Sequence, residues 1–253
     1  MNEEVYTAMV DMYCKDLRLP GLRKAHLSVA REAVDNNHSP TRFLAACLEE
    51  ESKSRQQSRL QAYTRQAKFP SPKGLKDFDF TAIPSLPKAK VLGLAEANFV
   101  RDRENVVCMG GSGTGKSHLA IALGTAAIVA GYRVRFISVM QLVQELLLAE
   151  AEYRLPRYLR TWDKFDLVIL DELGYVSLSH GGPLLFQFCA HRYEQGSLLI
   201  TTNLEFSRWD EVFHDTTMTT ALLDRLTHHS HILLFDGESY RFRESQRRQQ
   251  EQR

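Results

Sequence analysis

The stretch Gly110-Gly111-Ser112-Gly113-Thr114-Gly115-Lys116-Ser117 decides the fold of this chain. It fits the pattern GxxxxGK followed by Ser or Thr, and it lies between an apolar strand pattern and a helical pattern. Glycines at these positions let backbone N–H groups curl around a phosphate at the start of a helix. We therefore expect the loop to bind ATP or GTP, with Lys116 at the β- and γ-phosphates and the Ser117 hydroxyl on Mg²⁺.

A second motif places two carboxylates at the end of another buried strand. The apolar run Leu167–Leu170 is followed directly by Asp171 and Glu172. Ligands of open α/β sheets bind beyond the carboxyl ends of the strands, so both side chains are expected near the phosphates. Asp171 would hold Mg²⁺ through its water shell and Glu172 would polarise the attacking water. A solvated acidic turn is the alternative, but the adjacent pair after a phosphate-binding loop favours hydrolysis.

Two more residues have alternative interpretations. Asn203 ends an apolar strand, where its amide either orients the attacking water or caps the following helix. Arg225 lies in the predicted helix Met218–Leu226. Its guanidinium either reaches the γ-phosphate held by a neighbouring subunit or forms an internal ion pair with Asp224 or Glu211.

Strand and helix patterns alternate through most of the chain, which predicts an α/β fold with a mostly parallel sheet. The predicted strands are Val106–Met109, Val134–Val139, Leu167–Leu170, Leu198–Thr201 and Ile232–Phe235. Residues 1–68 are predicted to form a small all-helical domain, in which Ser39-Pro40 is a helix start signal. The proline-containing residues 69–85 are interpreted as a linker, and residues 86–253 as the ATPase domain.

Composition restricts the class of protein. Hydrophobic residues make up 43% of the 253 residues, enough for a sizeable core, and charged residues at 25% are ordinary for a soluble protein. The formal net charge of +1 neither predicts nor excludes a nucleic-acid partner. Neither a run of about 18 apolar residues nor a signal-peptide pattern is present, so a cytoplasmic protein without a membrane partner is expected. The four cysteines are far apart and are interpreted as reduced, mostly buried thiols.

One basic stretch is a candidate for contact with DNA. No Asp or Glu occurs from Ser52 to Lys76, and the cations proposed for this role are Lys53, Arg55, Arg59, Arg65 and Lys68. Clustered cations suit sequence-independent phosphate contacts, although a solvated helix face is the alternative. The histidines between His228 and His231 are interpreted as surface or structural residues, since no ligand set for a metal accompanies them.

The order of these motifs resembles the AAA+ ATPases, in particular the clade of DnaC-type helicase loaders and IstB-type transposition ATPases. The resemblance covers essentially the whole chain. It is carried by the stretches Phe78–Phe80, Asp171–Tyr175, Arg192–Ser197, Asn203–Trp209, Ala221–His228 and Gly237–Arg241.

The resemblance implies an AAA+ core with a five-stranded parallel sheet and a reduced or absent lid. Asn203 would be sensor 1, Arg225 an arginine finger acting in trans in a ring or spiral, and Phe78 and Phe80 would lie near the adenine of ATP. Arg241 and Arg243 are the candidates for a sensor 2 arginine.

The resemblance also implies binding of duplex DNA without sequence preference and delivery of that DNA to a cognate transposase. A helicase loader acting on single-stranded DNA is the alternative within the same clade. A DNA-binding scaffold that uses nucleotide only to lock an oligomer is the alternative from another class.

Overall fold

The computed structural model describes residues 3–175, 178, 181–237 and 239–240. The chain forms two compact units, Met1–Ala62 and Tyr63–Arg253. The boundary lies inside a long helix, six residues before the end of the helical domain expected from the sequence. Among the described residues, none of the helices has both the length and the apolar character that crossing a membrane requires.

The first unit consists of α1 (Glu3–Asp16), α2 (Pro20–Asp35) and the first part of α3 (Pro40–Ala67). Its helices are tied together by the buried carboxylate of Glu51, which accepts hydrogen bonds from the N–H groups of Gly21 (2.7 Å) and Leu22 (3.1 Å). The same carboxylate pairs with Arg55 at 2.6 Å. Burial opposes ionisation of Glu51, but Arg55 and the two N–H groups outweigh burial and lower the pKa of the carboxyl.

The second unit alternates strands and helices, as predicted. Its helices are α4 (Lys88–Leu94), α5 (Asn98–Arg101), α6 (Lys116–Val129), α7 (Val139–Ala151), α8 (Leu155–Arg160), α9 (Gly182–Arg192), α10 (Asp210–Phe213) and α11 (Thr216–Thr227). Short 3-10 turns lie at Leu75–Asp77, Phe80–Ala82 and Phe206–Arg208.

Five parallel strands form one sheet in the order β2-β3-β4-β1-β5. The strands are β1 (Asn105–Gly110), β2 (Val134–Ser138), β3 (Leu167–Leu173), β4 (Ser197–Thr202) and β5 (Ser230–Phe235). The five-stranded parallel sheet predicted from the sequence is therefore confirmed. Strand β2 ends one residue earlier than predicted, because the Ser138 hydroxyl caps α7 by accepting the N–H of Gln141.

Alternate side chains of the strands are buried in two different apolar clusters, one on each face of the sheet. Val168 and Ile200 belong to one cluster, whereas Ile169 and Leu199 belong to the other. The segment interpreted as a linker contributes to the second cluster: Phe78 is buried there. This segment is therefore packed within the second unit over part of its length.

Strand β3 contains an irregularity at its carboxyl end. Leu170 pairs with Ile200, but the next pair is Leu173 with Thr202. Two residues of β3, Asp171 and Glu172, therefore oppose the single residue Thr201 of β4. This is the arrangement of a β-bulge, which re-aims side chains and is frequent beside active sites.

Candidate nucleotide-binding site

The phosphate-binding loop joins the carboxyl end of β1 to the start of α6. Gly110 has φ of +149°, and a Cβ at this position would lie 2.2 Å from the carbonyl oxygen of Phe235. Gly115 has φ of +95° and immediately precedes α6. Glycine is required at both positions, because other residues would be strained or would clash. The N–H groups that open the 14-residue helix α6 are thereby presented to an anion at the loop.

Lys116 lies folded over this loop. Its ammonium donates hydrogen bonds to the carbonyl oxygens of Gly110 (2.7 Å) and Gly111 (2.6 Å), and its side chain is buried. The buried Thr114 hydroxyl donates to the same Gly111 carbonyl at 2.8 Å. The lysine predicted to contact the β- and γ-phosphates therefore lies within the loop that would hold them.

The predicted Mg²⁺ residues are in direct contact. The Ser117 hydroxyl donates to Asp171 Oδ1 at 2.8 Å, which joins the start of α6 to the end of β3. Oxygen donors of these two kinds, a hydroxyl and a carboxylate, are the ligands that Mg²⁺ prefers. The glycine-lined loop, Lys116 and this oxygen pair together fit a Mg²⁺-nucleotide.

Glu172 differs from its neighbour in both exposure and backbone conformation. Asp171 is buried, whereas Glu172 is exposed. Its φ of +66° lies in the left-handed region, which costs roughly 1–2 kcal/mol for a residue with a Cβ. Backbone strain of this kind is concentrated at functional sites, where the surrounding structure maintains it.

Asn203 follows β4 on the same edge of the sheet. The next two helical elements have Glu205 and Trp209 at their N-caps, so Asn203 caps neither. Its Oδ1 atom is buried and has no hydrogen-bond partner among the described residues. A Cβ on Gly174 would lie only 2.9 Å from this oxygen, so the amide is close to the turn that follows Glu172.

The two phenylalanines predicted near the adenine pack against each other beside the loop. Their ring centroids are 4.9 Å apart, and the buried Phe78 ring lies 5.4 Å from the ring of His118. A Cβ on Gly115 would lie 3.2 Å from Phe78. Phe78 therefore supports the phosphate-binding loop, while Phe80 remains partly exposed.

Arg225 lies at the opposite end of the sheet. It lines a small cavity with Asn105 and Leu198, which are at the amino ends of β1 and β4. The six-residue strand β1 separates that end from the phosphate-binding loop by about 17 Å at 3.3 Å per residue.

The Arg225 guanidinium lies over the ring of Phe186 at 5.1 Å, and its buried Nη1 atom has no hydrogen-bond partner among the described residues. The ion pairs of Arg225 with Asp224 or Glu211, considered from the sequence, do not form among the described residues. Glu211 instead pairs with Arg208 at 2.9 Å.

The basic stretch consists of two kinds of cation. The Lys53 ammonium bonds Glu49 at 2.8 Å and Glu50 at 3.0 Å, which raises its pKa to about 12. Arg55 pairs with Glu51 and also donates to the Arg18 carbonyl. By contrast, the exposed side chains of Arg59, Arg65 and Lys68 form no ion pair within the described part of the chain.

The remaining residues considered from the sequence are the histidines near β5, the four cysteines and the two candidate sensor 2 arginines. His231 bonds Glu104 at 2.8 Å, and no group of three or more metal-ligating side chains occurs among the described residues. All four cysteines are buried and free. Arg241 and Arg243, considered for sensor 2, lie outside the described residues, as do the other arginines near the end of the sequence, Arg247, Arg248 and Arg253.

The site also contains residues that the sequence reasoning did not single out. The buried Thr201 hydroxyl donates to Asp171 Oδ1 at 2.5 Å and accepts the Glu172 N–H at 2.9 Å. The Tyr175 hydroxyl and the Ser112 hydroxyl are hydrogen bonded at 3.1 Å. A signal for Thr201 was available, because a hydroxyl within an otherwise apolar buried strand needs a polar partner.

Comparison with known proteins assigns the chain to a family. The sequence model for the IstB-like ATP binding protein matches residues 12–248. The ATP-binding protein of insertion sequence IS5376 from Geobacillus stearothermophilus is 38% identical, over 95% of this chain and 96% of its own length. That of insertion sequence IS21 from Pseudomonas aeruginosa is also 38% identical, over 93% of this chain and 91% of its own length.

Solved structures are similar in fold. DnaA from Aquifex aeolicus bound to AMPPCP superposes with a TM-score of 0.56 at 20% identity, covering 73% of this chain and 57% of DnaA. DnaI superposes with a TM-score of 0.54 at 17% identity, covering 66% of this chain and 89% of DnaI. These similarities confirm the predicted AAA+ type of α/β fold.

Proposed function

The chain belongs to the family of IstB-like ATP-binding proteins, and we propose that it is an ATPase that assembles on duplex DNA and delivers this DNA to an insertion-sequence transposase. The observation that carries the hydrolytic part of the proposal is the contact between Ser117 and Asp171 beside the exposed Glu172. A site that only bound nucleotide would need the loop and lysine, but not a strained acidic residue next to the metal ligands.

Each residue of the site has a distinct role in the proposed reaction. Lys116 exchanges its bonds to the loop carbonyls for bonds to the phosphates, while Ser117 and Asp171 hold the metal. A bound Mg²⁺ supplies charge neutralisation on the phosphates. Glu172 accepts the proton of the attacking water, and the buried amide of Asn203 orients that water.

Completion of the site requires a second copy of the chain. Arg225 lies at the amino end of the sheet, too far from the phosphate-binding loop of its own chain to contact a γ-phosphate there. An arginine finger must reach developing charge on the transferred phosphoryl group. We therefore assign Arg225 to the nucleotide of a neighbouring subunit, as expected for a ring or spiral.

DNA contact is assigned to the cations that form no ion pair with the described residues. Lys53 and Arg55 are neutralised by neighbouring carboxylates, which leaves Arg59, Arg65 and Lys68 as the phosphate contacts of the basic stretch. Contacts of this kind are independent of base sequence and strongly dependent on salt.

The first test is steady-state ATP hydrolysis by the full chain with long duplex DNA, with single-stranded DNA, and without DNA. Stimulation mainly by duplex DNA is expected, and Lys116→Ala should abolish both nucleotide binding and turnover. Stimulation only by single-stranded DNA would favour a helicase loader. Absence of turnover in the presence of bound ATP would favour a nucleotide-locked scaffold.

The DNA surface is tested separately by the salt dependence of duplex binding. Replacing Arg59 and Arg65 together by Ala should lower affinity and reduce the slope of log K against log salt by about 1.8, or 0.9 per lost contact. Lys53→Ala is the matched control, because this lysine is already paired, and it should change the slope far less. Equal effects of the two variants would reject the assignment.

A further inference from the structure

We propose that Thr201 is a positioning residue of the Mg²⁺-nucleotide site, whose hydroxyl sets the geometry of both Asp171 and Glu172. The inference rests on the proposed function and extends it to a residue on a neighbouring strand. Thr201 itself contacts neither phosphate nor metal in this proposal, and acts only through the two carboxylates.

The first observation is the position of Thr201 in the sheet. It is the one residue of β4 that faces the bulge formed by Asp171 and Glu172. At a bulge the regular ladder of hydrogen bonds is interrupted, so other groups must satisfy the backbone. The Thr201 hydroxyl does so by accepting the Glu172 N–H at 2.9 Å.

The second observation is that the Thr201 hydroxyl both accepts and donates a hydrogen bond. While its oxygen accepts from Glu172, its proton is donated to Asp171 Oδ1 at 2.5 Å. Asp171 Oδ1 also accepts the Ser117 hydroxyl, so one carboxylate oxygen joins β4 to the first turn of α6. Thr201 and Ser117 thereby hold the same carboxylate oxygen from two different elements.

Burial makes this arrangement effective. Thr201 is 1% exposed and Asp171 is 8% exposed, so water does not readily replace a lost hydroxyl. The neighbouring hydroxyl of Thr202 serves a different purpose, since it bonds the N–H and carbonyl of Leu204. Of these two threonines, Thr201 is the one whose hydroxyl is directed at the acidic pair.

The same hydroxyl supports the strained conformation of Glu172. With φ of +66°, this residue needs an external partner that holds its N–H in place. Removal of the hydroxyl should let the bulge relax, which would displace Glu172 from the attacking water and Asp171 from the metal. Both metal-dependent nucleotide binding and turnover should therefore suffer.

The test compares Thr201→Val, which keeps the side-chain shape, with Thr201→Ser, which keeps the hydroxyl. Binding of a fluorescent ATP analogue is measured in EDTA and during a Mg²⁺ titration, followed by steady-state turnover. For Thr201→Val we expect at least a tenfold higher Mg²⁺ midpoint and a tenfold lower kcat, with affinity in EDTA within threefold of wild type. Thr201→Ser should stay within threefold throughout.

Thr219→Val is the matched control. Thr219 is also a buried threonine, but its hydroxyl donates to the carbonyl of Asp215, the N-cap residue of its own helix α11. This variant should leave the Mg²⁺ midpoint unchanged. An equal shift in Thr219→Val, or an unshifted midpoint in Thr201→Val, would overturn the proposal.

A second variant, Thr201→Ala, removes the hydroxyl without adding bulk, and it replaces Thr201→Val in the titration if that variant does not fold. If neither hydroxyl-free variant unfolds cooperatively, the hydroxyl serves the fold and the proposal is overturned. The Mg²⁺ titration does not depend on turnover. A wild-type chain that binds Mg²⁺-ATP without hydrolysing it would therefore contradict the proposed ATPase alone.

Discussion

The two ends of the parallel sheet use their polar residues differently. At the carboxyl end, Lys116, Ser117 and Thr201 are engaged in hydrogen bonds within the chain, and these bonds join three neighbouring elements. At the amino end, a cavity is lined by Arg192 and Arg225, and each has a buried nitrogen that finds no hydrogen-bond partner in the described part of the chain. The carboxyl end is largely assembled by one chain, whereas the amino end retains unused donors.

The two arginines of the amino end differ in turn. Arg192 donates to the carbonyl oxygens of Trp162 (3.1 Å) and Phe165 (2.7 Å) and is 1% exposed. Arg225 lies over the ring of Phe186, forms no ion pair with the described residues and is partly exposed. Arg192 is therefore a structural donor with fixed partners, whereas Arg225 is available to donate hydrogen bonds to another molecule.

The largest effect is expected for Arg225→Ala. If this arginine acts on the nucleotide of a neighbour, kcat should fall by about 10³–10⁵-fold, the range found for arginine fingers, with little change in ATP affinity. The fall is measured by steady-state hydrolysis at saturating DNA. A fall of less than tenfold would mean that the amino end is not part of the catalytic site.

Mixing of two inactive variants tests whether Arg225 acts in trans. Glu172→Gln retains the arginine but lacks the acidic residue, whereas Arg225→Ala retains Glu172. In a random equal mixture, about a quarter of the interfaces combine an intact site with an intact arginine, so activity should return to roughly that fraction. Failure to recover activity while the chains co-assemble would place Arg225 in its own chain's structure.

The sequence predicted the carboxyl end far better than the amino end. The phosphate-binding loop, Asp171 and Glu172 are adjacent in sequence to strands with strong apolar patterns, so their location follows from the fold rule for parallel sheets. The bulge of β3 was not predictable, because it depends on the register with β4. Likewise the sequence left an ion pair open for Arg225, since only the tertiary structure reveals that Glu211 pairs with Arg208.

A smaller effect, on stability, is expected for Arg192→Met. Loss of the guanidinium leaves two buried carbonyl oxygens with fewer donors, which should lower the free energy of unfolding by about 2–4 kcal/mol. Burial already lowers the pKa of Arg192, in keeping with the cost of holding this charge inside the protein. Urea unfolding measures the change, and Arg225→Ala should lie within about 0.5 kcal/mol of wild type.

Gly196→Ala provides an independent check of the same site. A Cβ at position 196 would lie 2.0 Å from Arg192 Nη2, so the alanine should displace the guanidinium from its carbonyls. We expect destabilisation of similar size to that of Arg192→Met. If Arg192→Met and Gly196→Ala were both as stable as wild type, Arg192 would not be the structural donor that distinguishes it from Arg225.

The smallest effect is expected for Tyr175→Phe, at the exposed margin of the carboxyl end. Tyr175 is 46% exposed and its hydroxyl bonds the exposed Ser112 hydroxyl of the phosphate-binding loop. Because water can replace this bond, its net contribution should be about 0.5 kcal/mol, or about a twofold rise in KM for ATP with unchanged kcat. Ser112→Ala should have the same effect, and the double variant should add nothing, because both substitutions remove one bond. Additive effects on KM, or a tenfold fall in kcat, would mean that Tyr175 and Ser112 affect the reaction itself and not only the phosphate-binding loop.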